Sequence, residues 1–149
     1  MIGLLQRVTD AKVSIDGETV GEIGAGVLVL LGVERADTSA EADRLLERIA
    51  TYRIFEDETG RMNRSVLDTG GALLVVSQFT LAASTRNGTR PGFQSAAAPA
   101  EGERLYEYFV GAARRRVATV ETGRFGAMMR VSLTNDGPVT FWLQVSPGT

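Results

Sequence analysis

The chain has 149 residues, of which 44% are hydrophobic and 23% charged, a balance that excludes a wholly disordered protein. This length suits one domain with a buried core, so we expect a single domain over residues 1–149. Cys and His are absent, which excludes disulfides, thiol nucleophiles, imidazole bases and Cys- or His-ligated metal sites. The net charge of -2 argues against a protein that coats nucleic acid by bulk charge.

The hydropathy pattern predicts no membrane segment. The longest apolar run, residues 27–33, is interrupted by Gly32 and is far shorter than the roughly 20 residues that span a bilayer. The first residues lack a basic leader followed by an apolar stretch. We therefore expect no signal peptide and a cytoplasmic location.

The first third of the chain carries the patterns of three strands. Residues 11–16 alternate between apolar and polar side chains, which is typical of a half-buried strand. Asp16-Gly17 then predicts a hairpin turn, followed by a second strand over residues 20–23. Residues 27–33 are almost entirely apolar, which predicts a strand buried on both faces.

Two later segments carry helix signals. Thr38 opens the first helix with a capping-box pattern, and an apolar stripe follows over residues 42–49. Pro99 begins the second helix, whose apolar stripe covers residues 105–112. Three arginines close that helix, and we favour a solvated end over RNA contact for Arg114, Arg115 and Arg116.

The remaining segments complete a mixed α/β pattern. Residues 56–61 read as a polar turn, residues 72–76 as a buried strand, and residues 83–100 as a long loop of the functional kind. After the second helix we expect three strands, interrupted at residues 135–138. The order predicts an α/β fold with α+β character, in which layered mixed sheets carry two helices on one side.

The first candidate site is Ser77-Gln78-Phe79-Thr80, where a buried strand ends and the long loop begins. Strand ends in α/β sheets are common positions for active sites, and two hydroxyls and an amide meet here. Spacing alone favours a plainer interpretation, in which Ser77 and Thr80 satisfy backbone groups. Arg86 and Arg90 lie in the adjoining loop.

Gly137-Pro138 is the second unusual feature. Its surroundings, Asn135-Asp136-Gly137-Pro138, have the composition of a hairpin turn, which the pattern alone favours. An X-Pro bond is also the kind with an appreciable cis population. A cis bond would turn two carbonyls in nearly one direction, so that they could hold an ammonium group. Arg7, in the first strand, either faces solvent, which the sequence slightly favours, or fixes another segment by hydrogen bonds.

A set of motifs running through the whole chain resembles the D-aminoacyl-tRNA deacylases. Ser-Gln-Phe-Thr alone would be a weak signal, but together with Asn-X-Gly-Pro-Val-Thr at this separation it is highly specific. The motifs are Leu5-Gln6-Arg7-Val8, residues 27–33, Ser77-Gln78-Phe79-Thr80-Leu81, Arg90-Pro91-Gly92-Phe93, Phe125-Gly126-Ala127 and Asn135-Asp136-Gly137-Pro138-Val139-Thr140.

The resemblance implies a β2-(βα)2-β3 fold and a cytoplasmic homodimer that hydrolyses the ester between tRNA and a D-amino acid or glycine. It implies a cis Gly-Pro peptide inserted into the partner's site, where an L side chain would collide with it. Ser77, Gln78, Phe79 and Thr80 would form the facing catalytic wall. The residues assigned to substrate binding and to rejection of L-amino acids are Gly137, Pro138, Arg7 and Met129. Arg86 and Arg90 are assigned to tRNA binding.

The chemical step has two candidate routes. Thr80 is the obvious nucleophile, but the chain offers no imidazole to activate it. We favour hydrolysis assisted by the substrate's own ribose 2′-OH, with backbone N–H groups near Phe79 and Thr80 stabilising the oxyanion. The carboxylates are scattered, so we expect no metal and no cofactor, and no membrane or DNA partner.

Two alternatives to the D-specific hydrolase are left open. In the first, the chain is a non-catalytic module that binds tRNA or a small ligand through the loop carrying Arg86 and Arg90, and the strand-end hydroxyls have structural roles. Otherwise it would be an editing relative with a trans Gly137-Pro138 bond, which admits small L-residues such as alanine.

Overall fold

Eight strands and three helices follow one another within residues 1–148, which the computed structural model describes. A 3-10 turn over Phe79–Ala82 follows the sixth strand. The predicted mixed α/β class is confirmed. The elements in chain order are β1 (Ile2–Ile15), β2 (Glu18–Ile23), β3 (Gly26–Gly32), α1 (Ser39–Thr51), β4 (Phe55–Glu56), β5 (Met62–Arg64), α2 (Val66–Thr69), β6 (Ala72–Ser77), α3 (Pro99–Arg116), β7 (Val120–Thr122) and β8 (Arg130–Gln144).

The long strand β1 organises the sheet. Along one edge its first half pairs antiparallel with β3 and its second half with β2, while β8 pairs along the other edge. From β3 the sheet continues through β6 and β7 in parallel. It curls so far that a Cβ at Gly21 of β2 would lie 2.3 Å from the carbonyl oxygen of Thr122 in β7. The strands therefore enclose an interior of their own.

Two apolar cores lie on opposite faces of this sheet. In β3, Val27 and Val29 point into the larger core, and Leu28 points into the smaller one. In β6, Leu73 and Leu74 divide in the same way. Since successive side chains of a strand alternate between faces, a strand between two cores must be apolar throughout. The predicted double burial of residues 27–33 and 72–76 is confirmed.

Both long helices pack into the larger core. Thr38 and Glu41 form the predicted capping box of α1, whose residues Leu45 and Ile49 are buried against Leu105 and Phe109 of α3. The α3 helix begins at Pro99, as its sequence predicts. The three arginines at its end are exposed.

The sequence interpretation of residues 135–138 as a hairpin turn is wrong. The chain continues through them as part of β8, so two strands and not three follow α3. Gln6 pairs with Thr140 and Val8 with Asn135, so residues 136–139 bulge out opposite the single residue Arg7. The Asn135 amide oxygen accepts from the Val139 N–H at 3.0 Å, replacing a ladder bond that the bulge removes.

Three short elements are not apparent from the sequence pattern. Strands β4 and β5 flank the predicted polar turn as a small hairpin, and α2 follows them. In the part of the chain that the structure describes, no helix has the length and apolarity needed to cross a bilayer.

Candidate active site

An apolar cavity of about 640 Å³ opens where the parallel strands β3 and β6 end. Leu31, Val76 and Ser77 line it from the carboxyl ends of these strands, as expected for a site in a parallel sheet. The N-terminal half of α3 and the segment before β8 form the other walls. The volume falls within the range of small-ligand sites.

The motif Ser77-Gln78-Phe79-Thr80 lies at the mouth of this cavity, but only part of it lines the cavity. Ser77, Gln78 and Phe79 line it, whereas Thr80 is exposed beside them and is not part of the lining. The Gln78 side-chain amide donates a hydrogen bond to the Thr80 hydroxyl. An amide N–H cannot accept the hydroxyl proton, so this contact orients Thr80 without activating it.

The opposite wall contains two aromatic residues that the sequence analysis did not assign to the site. The rings of Tyr106 and Phe125 lie 5.9 Å apart, and both line the cavity together with Met129. The Tyr106 hydroxyl donates to the Val75 carbonyl oxygen at 2.8 Å. Burial raises the pKa of Tyr106 to about 12, so this phenol is neutral at physiological pH and serves as a donor.

The position of Tyr106 beside Leu105 and Phe109 on the buried stripe of α3 was a signal available in the sequence. Phe125 was present in the motif Phe125-Gly126-Ala127 but carried no assigned role. The contact between Tyr106 and Phe125 depends on the packing of α3 against the segment after β7. A local sequence pattern does not predict this packing.

Gly137 and Pro138 lie at the exposed tip of the β8 bulge, and neither lines the cavity of its own chain. The peptide between them is cis. Gly137 has φ +133°, and a Cβ there would lie 2.6 Å from a methyl carbon of Val139, so only glycine fits the position. Asn135 also donates to the Thr140 hydroxyl at 2.8 Å, which ties the two ends of the bulge together.

The solvent-facing interpretation of Arg7 is wrong, because this residue is 6% exposed. Its guanidinium donates to the Asp136 carbonyl oxygen at 3.1 Å and to the Ile54 carbonyl oxygen at 2.8 Å. The Asp136 carboxylate lies 3.4 Å away. Arg7 therefore joins the base of the Gly137-Pro138 tip to the segment after α1.

Arg86 and Arg90 lie on the exposed loop between β6 and α3, where Ser84 and Gly92 pair across it. Within residues 1–148 neither guanidinium has a hydrogen-bond or ion-pair partner. Phe93 of this loop packs against Phe79, with ring centroids 5.2 Å apart, which fixes the loop beside the cavity mouth. Among the described residues, no cluster of three or more carboxylates has a metal-binding arrangement.

Comparison with known proteins identifies the family. A family model described as D-Tyr-tRNA(Tyr) deacylase matches residues 4–144. The chain belongs to this family. Its members are hydrolases that act on ester bonds of aminoacyl-tRNA.

Individual members of the deacylase family are similar to this chain over nearly its full length. The D-aminoacyl-tRNA deacylase of Paracidovorax citrulli is 64% identical, covering 99% of this chain and 95% of its own. That of Erwinia tasmaniensis is 60% identical, covering 97% of this chain and 100% of its own.

Two solved structures share the fold of this deacylase family member. A protein named c-Myc DNA unwinding element binding protein superposes with a TM-score of 0.94 at 39% identity, over 98% of this chain and 99% of its own. A structure described as a probable eukaryotic D-amino acid tRNA deacylase superposes with a TM-score of 0.85 at 16% identity, over 97% of this chain and 98% of its own. The second likeness bears on the fold alone.

Proposed function

We propose that this protein hydrolyses the ester bond that joins a D-amino acid, or glycine, to the 3′ end of tRNA. The observation that carries the proposal is the cavity walled by Ser77, Gln78 and Phe79 in a chain of the deacylase family. The cavity is largely apolar and opens beside a loop with two unpaired arginines. These features suit an aminoacyl group inside and a polyanion outside.

The active form in this proposal is a homodimer in which the Gly137-Pro138 tip of one protomer enters the partner's cavity. The tip is exposed and lies outside the cavity of its own chain. Arg7 and Asn135 hold its backbone in place without using any atom of the tip's outer surface. An exposed segment that is so firmly anchored is suited to contact another molecule, since no ordering cost remains to be met on binding.

Selection between mirror images follows from main-chain exclusion. Gly137 and Pro138 present backbone atoms and a rigid ring, which read the direction of a side chain but not its identity. An L side chain would collide with them, whereas a D side chain or the hydrogen of glycine would not. Such a site tolerates many amino acids, and glycine is accepted for the same reason.

The chemical step we propose is attack of water on the ester carbonyl carbon, assisted by the ribose 2′-OH of the substrate. The Thr80 hydroxyl is bonded to an amide donor, which does not remove its proton. No side chain caps the turn that begins at Phe79, which leaves its first N–H groups as candidate donors. One such donor on a developing oxyanion contributes roughly 3 kcal/mol.

We assign Arg86 and Arg90 to the phosphate backbone of tRNA. They are exposed, unpaired and held near the cavity by the contact between Phe79 and Phe93. A guanidinium suits this task because it binds phosphate oxygens in pairs. In this role they supply affinity and position but no amino-acid selectivity.

The deciding experiment incubates the purified protein with matched D-tyrosyl-tRNA and L-tyrosyl-tRNA and follows loss of the ester. We expect rapid loss of the D-ester, loss of glycyl-tRNA as well, and an L-ester that decays at the rate of the buffer control. Binding of both substrates without selective hydrolysis would instead support a tRNA-binding module. Loss of small L-esters such as L-alanyl-tRNA would support an editing relative.

A further inference from the structure

A second groove, of about 400 Å³, runs beside the cavity between α3 and the segment that follows β7. Tyr106 and Phe125 line both spaces, so their ring pair forms a shared wall at which the two meet. No residue of the Ser77–Thr80 motif and neither residue of the Gly137-Pro138 tip lines this groove. It is therefore a separate space that adjoins the cavity.

One side of the groove is a single stripe of α3. Glu103, Tyr106, Glu107, Val110 and Arg114 recur at helical spacing and line it together. The stripe spans about 16 Å from Glu103 to Arg114, at 1.5 Å per residue. Its beginning adjoins Gly102, which lines the cavity, so the groove leads away from the cavity along the helix.

Two exposed arginines flank this path. Arg114 lines it from α3 and Arg124 from the facing segment, and within the described residues neither has an ion-pair partner. This sets Arg114 apart from Arg116 two positions on, whose guanidinium pairs with Glu47. Free guanidinium groups on the rim of a groove are suited to phosphate.

We propose that this groove binds the single-stranded nucleotides that precede the esterified adenosine of tRNA. This inference rests on the proposed function, since it requires the aminoacylated end to occupy the cavity. The next nucleotides must then leave the cavity along its surface, and the groove begins at the shared wall. Arg114 and Arg124 pair with their phosphates, so Arg114 contacts RNA in this proposal although its sequence position favoured a solvated role.

The two carboxylates in the groove fit the same ligand. Glu103 and Glu107 lie one turn apart on the stripe and are exposed. Carboxylate oxygens accept hydrogen bonds from the exocyclic amino group of cytosine. Cytosines precede the terminal adenosine in tRNA, so the groove offers acceptors to the bases and cations to the backbone.

The test compares two substrates that share the same ester: D-tyrosyl-tRNA and D-tyrosyl-adenosine, which lacks all preceding nucleotides. For the Arg114→Ala/Arg124→Ala double variant, the ratio of kcat/KM for the tRNA ester to kcat/KM for the adenosine ester should fall about tenfold or more. The matched control is Arg115→Ala, an exposed arginine of the same helix turn that lines neither space, and its ratio should equal that of the wild type.

Binding of uncharged tRNA supplies a readout that does not depend on hydrolysis. The slope of log Kd against log salt should become shallower by about 1.4 in the double variant, because each single-strand phosphate contact contributes about 0.7. An unchanged slope, or equal losses on the two esters, overturns the groove assignment and leaves the proposed function intact. If the wild type hydrolyses neither ester, the proposed function itself fails.

Discussion

Substitution of Thr80 distinguishes the two candidate routes of ester hydrolysis, attack by the Thr80 hydroxyl and attack by water. Thr80→Ala should lower kcat for D-tyrosyl-tRNA by no more than about a hundredfold, whereas removing a covalent nucleophile costs on the order of a millionfold. The reason is that Gln78 donates to this hydroxyl, and nothing in that contact prepares it for attack. The measurement is single-turnover hydrolysis with enzyme in excess.

The control for this variant is a fold and binding check by thermal unfolding and by affinity for uncharged tRNA. If both were unchanged while hydrolysis vanished, Thr80 would be the nucleophile and the water route would be abandoned.

Arg7 is the residue whose loss should affect both the fold and the selectivity. Arg7→Met leaves the buried Ile54 carbonyl without its donor, which destabilises the protein by about 2 kcal/mol. It also frees the backbone at Asp136, so selectivity for the D-ester over the L-ester should fall about tenfold, equivalent to roughly 1.4 kcal/mol. Urea unfolding and paired D and L assays measure the two effects.

Lys12→Met is the matched control, since it removes an exposed cation from the same strand. Arg7→Lys keeps the charge but lacks the fork that reaches two carbonyls, so it should resemble Arg7→Met in selectivity. Undiminished selectivity for the D-ester in both Arg7 variants would show that Arg7 does not position the tip.

Single residues show where sequence reasoning stops. The burial of Arg7 depends on carbonyl groups 47 and 129 positions along the chain, and no local pattern connects them. Tyr106 had the right spacing for burial, but its partner Val75 lies 31 positions away. Ser77, Gln78 and Phe79 were predicted as a candidate site because the change from apolar to polar residues marks a strand end locally, and the structure places them at the cavity.

Among the elements, the β4–β5 hairpin depends on one carboxylate. Asp57 accepts hydrogen bonds from the N–H and hydroxyl of Thr59, the N–H of Arg61 and the amide of Asn63. These donors hold the pKa of Asp57 far below its ordinary value of 3.8. A carboxyl with a lowered pKa in the folded state stabilises the protein above its unfolded pKa, and this contribution is lost as the pH falls.

Asp57→Asn should therefore lower the melting temperature at pH 7, and the difference from wild type should shrink on acidification below about pH 4. Differential scanning calorimetry across this range measures it. Glu58→Gln, an exposed neighbour without a resolved partner, should match wild type throughout. If the melting temperature of Asp57→Asn differed from that of the wild type by the same amount at every pH, the ionised Asp57 carboxylate would not be the source of the stabilisation.

The helices were predictable and the last strand was not. The capping box and apolar stripe of α1, and the N-terminal proline and apolar stripe of α3, lie at short spacings along the chain, so local sequence specifies both helices. The β8 strand instead continues past a Gly-Pro pair because β1 pairs with it on both sides of the bulge. A turn-forming composition was overridden by a partner that lies far away in sequence.

For the whole molecule, the proposed exchange of tips between protomers can be tested with mixed dimers. Pro138→Gly removes the rigid ring, and we expect its homodimer to hydrolyse both D- and L-tyrosyl-tRNA. Ala127→Trp fills the cavity that Ala127 lines, and its homodimer should hydrolyse neither. A heterodimer purified through two different tags has one open cavity, in the Pro138→Gly chain.

If the tip crosses between subunits, that cavity receives an intact Pro138 from the partner, and the heterodimer should be selective for the D-ester. If the tip serves its own chain, the heterodimer should hydrolyse both esters. A monomer that is active and selective on dilution would exclude the exchange altogether.

Because residues 136–139 form a bulge opposite Arg7, the length of the tip is independent of the pairing register of the sheet. Residues 136–139 have no counterparts in β1 other than this single arginine, so their number does not set the alignment of the flanking ladders. Because Thr140 resumes the ladder opposite Gln6, a change in the number of residues over 136–138 should leave Phe141 and Leu143 on their present faces. If the tip selects between mirror images as proposed, the selecting segment can therefore change while the sheet that carries it stays the same.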